Sequence, residues 1–395
     1  MYFMNESWKK LLHGRLNHLL DLAQKTPLGD VSAISRLRKH GTLDEVSVVL
    51  EAIESRRRSA SRLLDAPLWL MDREGMEQAT RTRVAEHKAK RIRQHVGNET
   101  VIDLCCGIGS DASALARDGS IIYVDRDPLK VELTRFNLSA SHSDAAAHHP
   151  LVADAERLPL PPLPIHVDPA RRQGARRVYE YSEMIPGPEV IEGLIQHHGS
   201  VALKCGPGVD IENLPSGEVE WIQDGSDLVE ATLWTGSWAG STRRTATLVD
   251  RNLQISGEFQ HLQQSSLKEP AYLHEPCSVI ERSGLVGHVQ PEVAAGEWHP
   301  GLGWLAGQEN RTSPWFRTFA VVAQFGWHEK KVVDWFRQKG CAPKAIKTRG
   351  VKEDPAQLRR RFSGDAGDWI LALLRRGQRI EACVLEEQTH TESSK

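Results

Sequence analysis

The chain has 395 residues, 40% hydrophobic and 26% charged, with a formal net charge of −2; this supports a sizeable core and two or three domains of about 100–200 residues each. No apolar run approaches the ~20 residues that cross a bilayer, and the N-terminus lacks a charged-then-apolar signal pattern, so no membrane partner is expected. The six cysteines form no Cys-x-x-Cys pair, which gives a metal site no support and makes a reduced cytoplasm the natural compartment.

Residues 1–97 read as a helical N-terminal domain. Trp8, Leu11, Leu12, Leu16, Leu19 and Leu22 recur at helical spacing. Pro27-Leu-Gly29 stops that helix. Val46, Val49, Leu50, Ile53, Ala60 and Leu64 form a second stripe, broken by Pro67. A third helix is expected after Gly75, with Ala85, Ala89, Ile92 and Val96 facing inward. Arg81, Arg83, Lys88, Lys90, Arg91 and Arg93 would form its outer face, opposed by Glu86 alone. That face reads either as a phosphate-binding surface or as a solvated one.

Charge is uneven along the chain. Residues 1–97 hold 18 Lys and Arg against 12 Asp and Glu, residues 98–329 hold 17 against 31, and residues 330–388 hold 14 against 8. Two basic segments around an acidic centre suggest a polyanionic partner held by the flanks.

Residues 98–252 alternate strand and helix patterns, as a doubly wound sheet requires. Strands are expected at 100–104, 121–124, 151–153, 165–167, 200–204, 227–233 and 245–248. The last two are joined through Gly236 and Gly240 as a hairpin would need. The most informative stretch opens this region. Val101-Ile-Asp-Leu-Cys-Cys-Gly-Ile-Gly-Ser-Asp111 ends an apolar run in a glycine-rich turn. Gly107 and Gly109 let a ligand approach the backbone. Asp125, followed by Arg126, ends the second strand and is placed to hold both ribose hydroxyls.

Gly107-x-Gly109-x-x-Ala112 also fits a loose dinucleotide fingerprint. Three acids favour S-adenosyl-L-methionine instead. Asp103 lies inside the strand, where a carboxylate meets an amino group. Asp111 opens the helix, where its charge would repel a pyrophosphate. Asp154-Ala155 follows the third apolar run, in a place suited to an adenine amine. The expected donor residues are therefore Asp103, Cys105, Gly107, Gly109, Asp111, Asp125, Arg126, Asp154 and Ala155.

The fourth strand ends in Asp168-Pro-Ala-Arg171-Arg172. Ligands of such sheets sit at the carboxyl ends of the strands, which makes Asp168, Pro169 and Arg171 the expected catalytic group. Asp168 would orient an acceptor proton. Arg171 stands where amino-directed enzymes carry an aromatic; its guanidinium can stack on a base or pair with a phosphate. Tyr179 or Tyr181 would supply the missing aromatic. Lys204 and Gly206-Pro-Gly208 are expected to shape the rim.

Residues 268–388 read as a compact α+β module, with helices at 330–339 and 354–362 and strands at 345–348, 368–374 and 379–385. Lys344, Lys347, Arg349, Lys352, Arg359, Arg360 and Arg361 cluster there. The polar residues 389–395 are expected to form a disordered tail.

At these motifs the chain resembles a bacterial family of class I methyltransferases with a THUMP-like C-terminal domain. The matching segments are Gln78-Ala-Thr80, the loop from Asp103 to Asp111, Val124-Asp-Arg-Asp-Pro128, Asp154-Ala-Glu156, Asp168-Pro-Ala-Arg-Arg172, Lys204-Cys-Gly-Pro-Gly208, Glu218-Val-Glu-Trp-Ile222 and Ile346-Lys-Thr-Arg-Gly350. Cys105 departs from it, standing where glycine is commoner, and so does the segment from Glu180 to Pro186, which lacks a tryptophan and paired prolines. The resemblance implies a seven-stranded Rossmann-like core with S-adenosyl-L-methionine as cofactor, a helical N-terminal domain, and an RNA-binding type of C-terminal module. The expectation is a methyltransferase acting on structured RNA, tRNA or rRNA, contacted by the basic residues in 81–93 and 344–361. The alternatives are a protein or metabolite acceptor, and a non-catalytic RNA-binding protein with a retained donor fold.

Overall fold

The computed structural model describes residues 4–25, 31–142, 148–157, 161–169, 172–173, 176–177 and 180–388. Arg171, Tyr179 and the expected tail at 389–395 lie outside them. The chain divides into two compact units, Met1–Arg243 with Thr247–Leu253, and Arg244–Ala246 with Gln254–Lys395.

The first unit begins with helices. Asn5 accepts a hydrogen bond from the Ser7 amide and starts α1 (Glu6–Leu12). The single helix expected through Leu22 is interrupted: Gly14 sits at φ +72°, and α2 (Asn17–Gln24) starts afresh. α3 (Val31–Leu37) follows. Thr42 and Glu45 form a reciprocal capping box for α4 (Leu43–Ser59). Two helices, α5 (Arg73–Gln78) and α6 (Thr82–Val96), replace the one expected after Gly75.

Leu11, Leu19, Val49, Ile53 and Leu70 share one buried cluster with Ile108 and Leu133. The helices therefore pack on the glycine-rich loop. Asn137 reinforces this seam. Its amide nitrogen donates to the carbonyls of Leu70 and Ile108, and its oxygen accepts from the Leu70 amide.

The sheet strands are β1 (Val101–Leu104), β2 (Ile121–Asp125), β3 (His148–Val152), β4 (Ile165–Val167), β7 (Val201–Cys205), β8 (Glu218–Asp224) and β9 (Asp227–Trp234). A two-stranded ribbon, β5 (Arg172–Gln173) with β6 (Arg176–Arg177), follows β4. The helices between strands are α7 (Ser110–Ala116), α8 (Pro128–Ser141) and α9 (Pro188–His198). Strand order is β8-β9-β7-β4-β1-β2-β3. β7, β4, β1, β2 and β3 are parallel neighbours, and β9 runs antiparallel to β7 and β8. With β10 (Arg244–Leu248) and β11 (Leu253–Gly257) beyond β8, the sheet has nine strands.

The expected terminal hairpin is corrected. β9 pairs with β8, not with β10. β8 escaped the pattern search because it carries Glu218 and Glu220, yet both acids are buried. They are neutralised from α6. Arg91 pairs with both and lies over the Trp234 ring, and His87 Nε2 lies 2.6 Å from Glu220. Burial raises the Glu220 pKa, but His87 and Arg91 outweigh it and hold it down at about 2.

The outer basic face of α6 is corrected by the same contacts. Lys88 is 1% exposed. Arg81 and Arg83 pair with Asp224, and Arg81 also with Asp227. The Arg93 guanidinium donates to the carbonyls of Leu115, Gly97, Glu99 and Ser120. These cations tie α6 to the sheet and its loops, so they are spent internally. Lys90 alone of the six is exposed with no ion pair among the described residues.

The second unit has a seven-stranded sheet in the order β13-β14-β12-β15-β18-β17-β16. Its strands are β12 (Tyr272–Pro276), β13 (Gly296–Glu297), β14 (Leu305–Gly307), β15 (Phe316–Gly326), β16 (Ala345–Arg349), β17 (Ile370–Arg376) and β18 (Arg379–Gln388). Short helices α10 (Ser278–Ser283) and α11 (Val286–Val289) precede β13; α12 (Glu329–Gln338) and α13 (Pro355–Arg359) flank β16. Ile370, Ala372 and Leu374 join Trp304 and Phe319 in one cluster. Leu371 and Leu373 join Val332, Phe336 and Phe362 in another. β17 is thus buried on both faces, which is why it reads as a continuous apolar run.

Arg93→Met should cost about 2–4 kcal/mol, because four carbonyls lose a charged donor at a buried site, whereas Lys90→Met should stay within about 0.5 kcal/mol. Urea unfolding of the two variants checks this. In the second unit, burial pushes the His274 pKa down to about 4. The folded state then binds fewer protons than the unfolded chain below the usual histidine value, so stability falls as pH drops from about 6.5 toward 4, by up to about 1.4 kcal/mol per pH unit. Hydrogen exchange of β12 and β15 amides between pH 7 and 5 should reveal it, and His274→Phe should flatten the dependence.

Candidate active site

β1, β2, β4 and β7 all end at one cavity of about 440 Å³, within the usual range for small-molecule sites of about 300–1,000 Å³. Its wall includes Cys105, Gly107, Asp111, Asp125, Arg126, Asp154, Ala155, Asp168 and Pro169. The structure thus gathers nine of the sequence-predicted residues from four separate loops. α5 closes another side with Glu74, Gly75 and Gln78, followed by Thr80 and Arg81.

Asp125 is fixed by backbone. Its Oδ2 accepts from the Gly107 amide at 3.1 Å and its Oδ1 from the Asp127 amide at 3.0 Å. Burial raises its pKa, against those two hydrogen bonds. Gly107 has φ +57°, and a Cβ built there would meet nothing within 4 Å. The Asp154 Oδ1 accepts from the Glu156 amide and shapes a tight turn at the wall.

Asp103 and Gly109 lie behind the wall of the cavity. Asp103 is completely buried, with Oδ1 2.7 Å from His166 Nδ1. Burial raises its pKa more than His166 lowers it. Gly109 packs under Thr134, where a Cβ would come within 2.9 Å of the Thr134 methyl. Tyr181 is buried at 6% exposure and is absent from the wall, so it offers no stacking face. No aromatic side chain lines the cavity among the described residues.

Behind the wall lies a cluster that sequence reasoning missed. Lys88 Nζ reaches Asp111 Oδ1 at 2.9 Å, Glu230 Oε1 at 2.8 Å and His166 Nε2 at 3.4 Å. Lys204 Nζ donates to Thr80 Oγ1 and to Asp168 Oδ2, each at 2.7 Å. The Thr80 hydroxyl donates to Asp111 Oδ2 at 2.6 Å. Lys204 also stands 3.9 Å from Glu230 Oε2. Burial lowers the Lys88 pKa, but Asp111 and Glu230 outweigh it and hold the ammonium charged. Burial likewise raises that of Asp111, but Lys88, His166, Lys204 and the Thr80 hydroxyl together lower it below the usual carboxylate value. The charge of Asp111 is therefore answered from behind, and it does not face a ligand bare. One signal was available: Lys88 falls three residues after Ala85 and four before Ile92, on the inward stripe.

Ten carboxylates line the cavity against five Arg or Lys among the described residues, so its field is negative. Among the described residues, no group of His, Cys, Asp and Glu is arranged to hold a metal, and no helix is long and apolar enough to cross a membrane.

Comparison with known proteins fits this geometry. An uncharacterized S-adenosylmethionine-dependent methyltransferase of Mycobacterium tuberculosis, present in strains CDC 1551 / Oshkosh and ATCC 25618 / H37Rv, is 30% identical over 338 residues, spanning 81% of this chain and 89% of the relative. The chain belongs to the S-adenosylmethionine-dependent methyltransferases. S-Adenosylmethionine is accordingly its methyl donor. The crystal structure of a putative methyltransferase from Porphyromonas gingivalis W83 superposes with a TM-score of 0.73 at 18% identity, covering 98% of this chain and 100% of that one, and so shares the fold. Residues 316–385 match the family described as THUMP domain-like. In this methyltransferase the match begins at β15 and ends within β18.

Cys105 adopts φ +64°, a left-handed conformation in which glycine carries no strain. Cys105→Gly should therefore stabilise the first unit by up to about 1 kcal/mol, seen as a higher urea midpoint for the variant.

Proposed function

We propose that this methyltransferase modifies structured RNA, tRNA or rRNA, with Asp168 orienting the acceptor. The observation that carries the reading is the THUMP-like match at residues 316–385, in one chain with a cavity of donor type. In the second unit Lys347 pairs with Glu275, Arg349 with Glu281 and Arg361 with Glu329. Lys344, Lys352 and Arg360 are exposed with no ion pair among the described residues, and they are the phosphate contacts we favour.

The residues present fit the donor. The space in front of Gly107 admits a ligand edge that any side chain would fill. Asp125 would hold the ribose hydroxyls, with Arg126, Cys105 and Asp111 beside it, and Asp154 and Ala155 would meet the adenine. Asp103 and Gly109 would act from behind, through the shape of β1 and its loop. When bound, the donor supplies a methyl group already activated on a sulfonium. The chain then needs to place the acceptor in line, and placement alone is worth about 7–11 kcal/mol. Lys204 holds one oxygen of Asp168. Oδ1 has no protein partner among the described residues, and it would accept a hydrogen bond from the acceptor. Pro169 stiffens the turn that presents it. Arg171 would stack on the target base or pair with its phosphate.

A second reading, a protein or metabolite acceptor, draws support from the ten wall carboxylates, which disfavour an approaching phosphate.

Incubation with tritiated donor should label an RNA band from a strain lacking the gene, and Asp168→Ala should abolish it. Label confined to protein or small molecules would transfer the proposal to the second reading. Asp125→Ala should weaken S-adenosylhomocysteine binding at least about tenfold in calorimetry, as loss of a charged hydrogen-bond partner predicts. RNA affinity should fall steeply with salt.

A further inference from the structure

The cluster behind the cavity holds four carboxylates, Asp103, Asp111, Glu230 and Asp168, around two ammonium groups, Lys88 and Lys204. His166 joins it at one end. Its Nδ1 lies 2.7 Å from Asp103 and its Nε2 lies 3.4 Å from Lys88. Lys88 thus has two carboxylate oxygens at 2.9 and 2.8 Å and a ring nitrogen at 3.4 Å. Lys204 has two close partners, Thr80 and Asp168, and one distant one, Glu230 Oε2 at 3.9 Å. That Glu230 oxygen is buried and has no hydrogen-bond partner among the described residues. It is a rival for Lys204, restrained because Lys88 holds the other oxygen of the same carboxylate at 2.8 Å.

We propose that Lys88 is a positioning residue for methyl transfer: by occupying Glu230 and Asp111 it leaves Lys204 free to orient Asp168. Lys88 does not line the cavity and touches neither donor nor acceptor. Its effect passes through one competition. Without Lys88, Glu230 and Asp111 are buried anions with no Lys or Arg nearby other than Lys204 among the described residues. The ammonium then moves toward Glu230 and away from Asp168. Asp168 then loses its fixed orientation. Removing the rival carboxylate as well returns Lys204 to Asp168.

The inference rests on the reading of Asp168 as the acceptor-orienting group, but its first test does not. Crystal structures of the full-length variants read which partner Lys204 takes. In Lys88→Met, Lys204 Nζ should lie within hydrogen-bond distance of Glu230 Oε2 and beyond it from Asp168 Oδ2. In Lys88→Met with Glu230→Gln it should return to Asp168. A purely structural role for Lys88 predicts no such return, because the double variant lacks still more of the buried pairing. An unmoved Lys204 in Lys88→Met, or no return in the double variant, overturns the proposal. If Lys88→Met does not fold, Lys88→Gln with and without Glu230→Gln carries the same comparison, since it removes the charge and keeps a hydrogen-bond donor. The second test is methyl transfer into the RNA fraction. Lys88→Met should lower kcat at least about tenfold with the donor KM nearly unchanged, since misplacement costs rate rather than binding. The double variant should recover most of it. A Lys204 that moves and returns as stated, in an enzyme that labels no RNA, supports the coupling and refutes the RNA reading alone.

Discussion

A lysine that is almost wholly buried stays charged only if anions surround it closely. Lys88 satisfies that condition with Asp111 and Glu230, and much of the first unit is organised around meeting it. α6 must lie against β9 to bring Lys88 to Glu230. The helix that opens at Ser110 must present Asp111 to the same point. Glu218 and Glu220 on β8 are matched to Arg91 and His87 one turn away on α6. Hydrophobic contact alone, through Ala85, Ala89 and Ile92, would let α6 slide or rotate. Paired charges fix its rotation and register, because each misplaced partner would leave an ion buried alone.

This explains both what was legible in the sequence and what was not. The donor loop was legible because its residues act through backbone conformation and local order: Gly107 next to Asp125, and Asp154 in its turn. The parallel strands were legible as apolar runs, and β17 for the same reason. What failed were the segments whose polarity is answered by a distant partner. β8 was not expected as a strand because its acids, which break the apolar pattern, are answered by Arg91 and His87 on α6, far away in sequence. α6 looked like a phosphate-binding surface because its cations meet β8, the carbonyls after α7, and β9. Each half of the pairing, read alone, suggests solvent exposure. The partner of Asp103 was illegible too, since nothing in the local pattern reports His166 on the neighbouring strand.

The wall of the cavity carries a chemical bias of its own. With no aromatic side chain among the described lining residues, a planar acceptor would be held by edges and guanidinium groups rather than by stacking between rings. Such a wall selects by hydrogen-bond pattern and charge more than by shape. The negative field also distinguishes the donor, which is cationic at sulfur, from its demethylated product, which is neutral there. That difference favours product leaving once the methyl has gone.

Asn137 gives the N-terminal helices a place in the catalytic unit that their sequence position conceals. One side chain binds the segment before α5 and the loop before α7 together, over a core that includes Ile108 and Leu133. A shortened chain starting at the first strand would be left with apolar surface on α8 and an unsupported loop at the mouth of the cavity. The minimal inheritable module in this protein is therefore the helices together with the sheet, and recombination between relatives should tolerate exchange at residue 97 poorly.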